Sequence, residues 1–467
     1  MLKKLIGDKK FYKTAIAVAL PIMLQNGITN FVSLLDNVMV GSLGDCQLSG
    51  VAIVNRLMFI FMLAVFGAIS GAGIFTAQFY GKQDEEGVRQ TLRFKYLICT
   101  IITVAAAAIF LVFGEELIKL FLLIDGGASE SDKTSDEIAK TLEYGKQYLA
   151  VSVIGLLPVA LSQAYSGTMR ETEHTVSPMI AGFIAVAVNC LGNFILIYGN
   201  FGAPKLGVIG AAIATVASRF VELIILIVYT RVKKTDFPAF KGALTGGPFK
   251  IDKKLFADIL KKGIPLFVNE TLWSLGISGV VMFYGWRGLD VVSGCSISST
   301  IINVFNIAYM ALGNAVGIIV GKYLGAGDYE GAVDADRKLI AFCVAVGFTM
   351  GAVMFFTAGL FPKMYNTTEG AKLVAKQMIM VTACLFPVQS FMHSCYFTLR
   401  SGGKTLITFI YDSVFVCLVN MPLTFCLVKF TTMPILPIYV ITQSVEIIKA
   451  VIGFIMLKKR IWLNKIV

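Results

Sequence analysis

GIFTAQFYGKQDEEG (73–87) and GIIVGKYLGAGDYEG (317–331) are two copies of one pattern, 244 residues apart in the chain. The same offset aligns the preceding sequence without a gap, starting with Pro21, which meets Pro265. Six positions of the two copies carry identical residues: Gly73, Ile74, Gly81, Asp84, Glu86 and Gly87. Because so many paired glycines, prolines and acidic residues are improbable by chance, the sequence predicts an internal repeat.

The offset between the two halves falls along the chain. It is 230 residues at Arg170, which meets Arg400, and 224 residues at Glu222, which meets Glu446. The first half is therefore longer than the second. Most of its extra length lies in the acidic loop GGASESDKTSDEIAKTLE (126–143).

The composition indicates a membrane protein. Of the 467 residues, 56% are hydrophobic and 15% are charged, whereas a soluble domain carries about 25% charged residues. The mean hydropathy is +0.76. The apolar residues also form runs of roughly 20 or more, which is the length that a helix needs to cross a bilayer.

We predict an all-α polytopic membrane protein with twelve transmembrane helices, six in each half. Since six is an even number, both halves enter the membrane from the same side, which makes the repeat a parallel one. The predicted domains are an N-terminal lobe (1–230), a basic cytoplasmic linker (231–263) and a C-terminal lobe (264–467), and LFADILKKG (255–263) is expected to be a short interfacial helix. The apolar runs lie near 14–40, 48–80, 94–114, 147–169, 177–199, 207–230, 264–286, 294–323, 338–361, 377–399, 406–428 and 435–457.

The loop charges predict the orientation. Lys and Arg are concentrated before residue 14, in 81–95, in 231–263 and after residue 457. With twelve crossings these segments share one side of the membrane and the acidic loop lies on the other. Lys and Arg are enriched in the cytoplasmic loops of membrane proteins, so both termini are expected in the cytoplasm. The membrane is expected to be the plasma (inner) membrane. The first apolar run is too long for a cleaved signal peptide and is taken as a helix.

Asp36, in the first helix, is the main candidate for ion coupling. An ionisable group in the hydrocarbon core costs free energy, so such residues usually have a functional or structural role. A carboxylate that faces a cavity binds a proton or Na⁺; the alternative is an interfacial residue at a helix end. Asn189 and Asn193 are four residues apart on one face of the fifth helix. With Thr215 they would complete a cation site at Asp36, or would only form hydrogen bonds between helices.

Glu270, in the seventh helix, is the second candidate, and its repeat equivalent is Asn26. It would contact a cation or a cationic substrate, with Trp273 as an aromatic neighbour, or it would be a structural carboxylate. Two further acidic residues have a basic residue three positions away and are predicted to form structural ion pairs. The pairs are Arg219 with Glu222 and Glu446 with Lys449.

Several functions are excluded or disfavoured. The net charge of +12 lies in loops between apolar runs, which is typical of membrane proteins and argues against nucleic-acid binding. Two histidines and cysteines without CxxC spacing disfavour a zinc site. No phosphate-binding loop or selectivity-filter sequence supports an enzyme or a channel. We expect no cofactor, and no metal ion other than Na⁺ at Asp36 if Na⁺ rather than H⁺ is the coupling ion.

The chain resembles the multidrug and toxic compound extrusion (MATE) family of antiporters. The resemblance covers essentially the whole chain and implies two six-helix lobes that export amphipathic, often cationic, compounds in exchange for H⁺ or Na⁺. It rests on five stretches: ALPIMLQNGITNFVSLLDNVMVGSLG, GIFTAQFYGKQDEEGVRQTLR, NCLGNFILIYGNFGAPKLGVIGAAIAT, GIPLFVNETLWSLG and GKYLGAGDYEGA.

The resemblance also implies roles for single residues. Asp36 matches the family's first-helix carboxylate, Asn189 and Asn193 match its polar pair in the fifth helix, and Thr215 matches a hydroxyl in the sixth. Glu270 resembles its seventh-helix glutamate. Position 193 is Asn where some proton-coupled members have Asp, and the tenth helix lacks the carboxylate that some Na⁺-coupled members carry. The resemblance therefore does not decide whether H⁺ or Na⁺ is the coupling ion.

The leading hypothesis is therefore a secondary active multidrug antiporter that works by alternating access, is monomeric, and has small organic molecules and membrane lipids as its partners. The alternative is a flippase for lipid-linked precursors from the same superfamily. Such relatives often have fourteen helices and more cationic residues in the cavity, so twelve helices and Asp36 argue against it.

Overall fold

The computed structural model describes residues 5–126, 135–243 and 250–467. Within these ranges the chain is helical, without strands, and twelve helices are long and apolar enough to cross a membrane. The predicted all-α fold with twelve membrane helices is thereby confirmed. The helices are α1 (Lys9–Gly41), α2 (Asp45–Gly81), α3 (Glu85–Gly126), α4 (Asp136–Glu171), α5 (Val176–Tyr198), α6 (Gly207–Val232), α7 (Lys253–Gly285), α8 (Leu289–Ala326), α9 (Tyr329–Thr357), α10 (Glu369–Ser401), α11 (Thr405–Phe430) and α12 (Ile435–Lys458).

Some features used in the sequence analysis lie outside the described residues. These are the first basic residues of the chain, positions 127–134 of the acidic loop, and positions 244–249 of the linker. Most of the remainder of the acidic loop is helical, because α4 already begins at Asp136.

Most helices extend beyond the apolar runs that predicted them, and two of these differences bear on the interpretation of the sequence. The expectation of a separate short helix at LFADILKKG is wrong, because this segment is the start of the continuous helix α7. Pro265 lies inside this helix, since proline is tolerated in membrane helices whose neighbours satisfy the freed carbonyl groups. α3 is also longer than its apolar run, since it begins at Glu85 and includes charged residues that are used for packing.

The residues group into two compact units. The C-terminal unit comprises Met1–Met23, Gly73–Asp84 and Ala257–Val467, and the N-terminal unit comprises Leu24–Ala72 and Glu85–Phe256. The predicted lobes differ from these units, because the first part of α1 and the last part of α2 belong to the C-terminal unit, and the predicted linker is divided between both units. The predicted division into two lobes and a linker therefore stays a prediction.

The repeated glycines allow α2 and α8 to touch through their backbones inside the C-terminal unit. A Cβ atom on Gly81 would overlap the carbonyl group of Lys322, and one on Gly325 would overlap the carbonyl group of Gln78. Positions 78 and 322 are related by the same 244-residue offset as 81 and 325, so the contact is reciprocal. The motif that reveals the repeat is thus the place where its two copies meet.

Gln78 ties the end of α2 to the segment 462–466. Its side chain is 0% exposed, and its Nε2 donates to the carbonyl oxygens of Ser401 at 2.9 Å and of Asn464 at 3.2 Å. Its Oε1 accepts from the backbone N–H of Ile466 at 2.9 Å. A single side chain therefore satisfies three backbone groups of distant segments, as buried polar groups require.

Replacing Gln78 by Leu is expected to lower the free energy of unfolding by about 1–3 kcal/mol, because three backbone groups lose their partner. The melting temperature of the purified protein in detergent measures the effect. Gln377→Leu, at a half-exposed position of α10, is the matched control and should change it little. Equal melting temperatures for the two variants would show that these hydrogen bonds do not stabilise the fold.

In the N-terminal unit, two arginines at the start of α3 bind the segment that follows α6. Arg89 and Arg93, which the sequence analysis counted as loop charges, donate to backbone carbonyls rather than only facing solvent. Arg89 donates to Pro238 and Ala239, and Arg93 donates to Gly242, Ala243 and Lys250. The basic residues on this side therefore also shape the linker.

Candidate ion and substrate sites

The residues proposed for ion coupling form one cluster in the N-terminal unit. Asn193 Nδ2 on α5 donates to Asp36 Oδ1 on α1 at 2.5 Å. One turn earlier on α5, Asn189 Nδ2 donates to Thr215 Oγ1 on α6 at 3.1 Å. The structure thus brings Asp36 and the three polar residues together from three helices.

Both asparagines keep their amide oxygens unused. Asn189 and Asn193 are 4% and 1% exposed, and their Oδ1 atoms are buried without a hydrogen-bond partner in the described part of the chain. A buried acceptor without a partner costs about 1–3 kcal/mol, so each such atom needs an explanation. Together with the carboxylate of Asp36, which Asn193 contacts through its Nδ2, these amide oxygens are oxygen donors of the kind that hard cations prefer.

This donor set fits Na⁺ and does not fit a transition metal. Among the described residues, no group of three or more His, Cys, Asp or Glu side chains is placed to hold a metal ion. A proton would need only the carboxylate of Asp36, whereas Na⁺ would also use the amide oxygens. The geometry is therefore compatible with either coupling ion.

Arg219 and Glu222 lie next to this cluster on α6. Arg219 Nη1 is 3.1 Å from Glu222 Oε2, the separation expected for an i,i+3 ion pair, and Glu222 is buried. Arg219 also interacts electrostatically with Asp36. The sequence predicts Arg219 as the partner of Glu222 alone, but in the structure Arg219 also supplies positive charge near Asp36.

Glu270 belongs to a second polar cluster, inside the C-terminal unit. The hydroxyl group of Tyr396 lies 3.5 Å from Glu270 Oε1 and 3.4 Å from Asn269 Nδ2. Asn269 Nδ2 also donates to Asp412 Oδ2 at 3.2 Å. Asn269, which is 1% exposed, therefore links Glu270 on α7 to Asp412 on α11.

Asp412 connects this cluster to the predicted pair on α12. Lys449 Nζ is 3.8 Å from Glu446 Oε2, so the predicted pair is present, but its closer partner is Asp412 Oδ1 at 2.6 Å. Asn420 Nδ2 donates to Glu446 Oε1 at 3.4 Å. Residues that were interpreted separately, as a substrate contact and as an intrahelical pair, thus form one network.

The sequence did not reveal this network, because α11 departs from regular α-helix. The helix is π-helical over Ile410–Val414 and Val416–Asn420. A π-helical segment changes which side chains share a face, so 3.6-residue periodicity cannot place Asp412 and Asn420 together. The available signal was chemical: Asn269 is a polar residue beside Glu270, and Asp412 is an acidic residue inside an apolar run.

The two remaining predicted residues, Asn26 and Trp273, lie on α1 and α7. Asn26 is half-buried on α1 and belongs to the N-terminal unit, whereas Glu270, its repeat equivalent, belongs to the C-terminal unit. Trp273 is half-buried on α7, three residues after Glu270. Their roles as substrate or cation contacts stay predictions.

Twelve helices long and apolar enough to cross a membrane, with half-buried, amide-supported carboxylates among them, define the class: a multi-pass integral membrane protein. The chain belongs to the MatE family, since the pattern of that family matches residues 21–195 and 265–426. The two matched stretches fall in the two repeats. This family is one of multidrug efflux transporters, which confirms the resemblance noted from the sequence.

Curated relatives and solved structures support this assignment. The chain is 26% identical to "Probable multidrug resistance protein NorM" of Thermotoga maritima, over 90% of this chain and 86% of the relative. It is 24% identical to "Probable multidrug resistance protein YoeA" of Bacillus subtilis, over 90% and 88%. The solved structure "Crystal structure of MATE in complex with MaL6" shares the fold with a TM-score of 0.83 at 17% identity, covering 98% of this chain and 97% of that one.

Proposed function

We propose that this protein is a secondary active antiporter that exports small organic compounds, often cationic, in exchange for H⁺ or Na⁺. The observation that carries the proposal is the carboxylate of Asp36 in contact with Asn193, on a helix where Asn189 and Asn193 both have buried amide oxygens without a partner among the described residues. These oxygens and the carboxylate would bind the inward-moving cation. The names of the relatives, multidrug resistance proteins, support organic compounds as the substrates. The protein would act as a monomer in the plasma membrane, with both termini in the cytoplasm, and would need no cofactor.

The flippase alternative has less support. A carrier of a lipid-linked phosphate would be expected to offer a cationic site, whereas the two polar clusters described here contain the carboxylates Asp36, Glu270, Asp412 and Glu446. Arg219 and Lys449 are both paired with acidic residues. Such a charge balance suits a cation better than a phosphate.

Reconstituted proteoliposomes test the proposal. We expect accumulation of a fluorescent organic cation to be driven by a Na⁺ gradient or by a pH gradient, and to stop when monensin or nigericin removes that gradient. Dye transport at a rate that depends on neither the Na⁺ gradient nor the pH gradient would contradict antiport. Movement of a fluorescent lipid-linked precursor, in vesicles that move none of a panel of dyes, would identify the flippase instead.

A further inference from the structure

Lys449 on α12 is a cation held inside the C-terminal unit. Its side chain is 7% exposed, and its ammonium group lies 2.6 Å from Asp412 Oδ1, 3.8 Å from Glu446 Oε2 and 5.3 Å from the centre of the Tyr411 ring. An ammonium group taken out of water is costly unless opposite charges surround it. The position of Lys449 is therefore defined by the two carboxylates that hold it.

Each of these carboxylates is oriented by an amide. Asn269 donates to the Asp412 oxygen that Lys449 does not use, and Asn420 donates to the Glu446 oxygen that Lys449 does not use. Asp36 is oriented by Asn193 in the same manner. Both units thus contain an amide-supported carboxylate, but only the C-terminal cluster already has an ammonium group against it.

Comparison of the two halves shows that Asp412 and Lys449 are both present in the second half and that both charges are absent at the equivalent positions of the first half. With the offset of 230, Asp412 corresponds to Gly182, and with the offset of 224, Lys449 corresponds to Ile225. The alignment is consistent with the contacts, because a Cβ atom on Gly182 would meet Gln25, the repeat equivalent of Asn269. The second half has a charged pair where the first half has two uncharged residues.

We propose that the ammonium group of Lys449 is a tethered cation that fills a monovalent-cation site formed by Asp412 and Glu446, so that Na⁺ binds there only when Lys449 is removed. The two carboxylate oxygens that face the ammonium are then the ligands, and water completes the shell. His393 on α10 also interacts electrostatically with Asp412. This inference does not depend on Asp36 carrying the coupling ion.

The test uses Lys449→Met in an Asp36→Asn background, which removes the carboxylate of the first cluster. Methionine keeps most of the length of lysine and leaves the negative charge of Asp412 without its partner. In choline chloride we expect the melting temperature to fall by roughly 5 °C or more. In NaCl of equal ionic strength most of this loss should be recovered, and ²²Na⁺ should bind to the purified protein.

Two controls make the result specific. Lys449→Arg keeps the positive charge, so it should show no dependence on Na⁺. Adding Asp412→Asn to Lys449→Met should remove the Na⁺ binding. A folded Asp36→Asn/Lys449→Met protein that neither binds ²²Na⁺ nor is stabilised by NaCl would overturn the proposal, as would Na⁺ binding that persists without Asp412.

A variant that does not fold also gives an answer. If Lys449→Met yields no folded protein in either salt, Lys449→Gln replaces it, because its amide can still donate to Asp412. If both variants stay unfolded in NaCl while Asp412→Asn/Lys449→Met folds, Na⁺ cannot take the place of the ammonium group, and the inference is wrong.

Discussion

Asp36→Asn is expected to reduce gradient-driven export to the level of empty liposomes. Asparagine has nearly the same shape as aspartate, and its Oδ1 can still accept from Asn193 Nδ2, so the helix contacts of α1 and α5 should persist. It carries no charge, so it neither takes up a proton nor balances a bound Na⁺. Uptake of a fluorescent organic cation into proteoliposomes under an imposed Na⁺ or pH gradient measures the loss.

Asp45→Asn is the matched control for this variant. Asp45 is an exposed carboxylate in the first turn of α2, so its replacement should cost less than about 1 kcal/mol and leave export unchanged. The melting temperature of Asp36→Asn should stay near that of the unchanged protein, which separates loss of transport from loss of folding. Normal gradient-driven export by folded Asp36→Asn would remove this residue from the mechanism.

Gly81→Ala is expected to lower the free energy of unfolding by about 3 kcal/mol or more, because the added Cβ meets the backbone carbonyl of Lys322, which cannot rotate away. Gly325→Ala should have a similar effect through the carbonyl of Gln78. The yield of monodisperse protein in detergent and its melting temperature measure the loss.

Gly27→Ala separates this steric effect from the general effect of removing a helical glycine. A Cβ atom on Gly27, inside α1, would meet nothing within 4 Å. Since alanine favours helix over glycine by up to about 1 kcal/mol, this variant should be neutral or slightly stabilised. If Gly81→Ala and Gly27→Ala melt at the same temperature, the backbone contact between α2 and α8 is not a stabilising one.

The fold could be predicted from the sequence largely because hydrophobic length and repeated glycines are local signals. A run of apolar residues needs no knowledge of its neighbours to indicate a membrane helix, and the paired glycines were visible before their contact was known. LFADILKKG was interpreted wrongly for the same reason, since its local composition does not show that it continues into α7.

The candidate sites were predictable in part. The four-residue spacing of Asn189 and Asn193 indicates one helix face, but the hydrogen bond from Asn193 to Asp36 depends on how α1 packs against α5. The pairing of Lys449 with Asp412 depends on both the packing of α11 against α12 and the π-helical turns of α11. Contacts between helices, and departures from regular geometry, leave little trace in a single sequence.

The hydrogen bonds of Gln78 also constrain the order in which the chain can complete its folding. Gln78 is translated 386 residues before Asn464 and 388 residues before Ile466. At about 5–20 residues per second, ribosomes take roughly 20–80 s to cover that distance. During this interval the end of α2 has already been synthesised, but its amide lacks these two native partners. The final packing of α2 is therefore a late event that must wait for almost the whole chain to leave the ribosome.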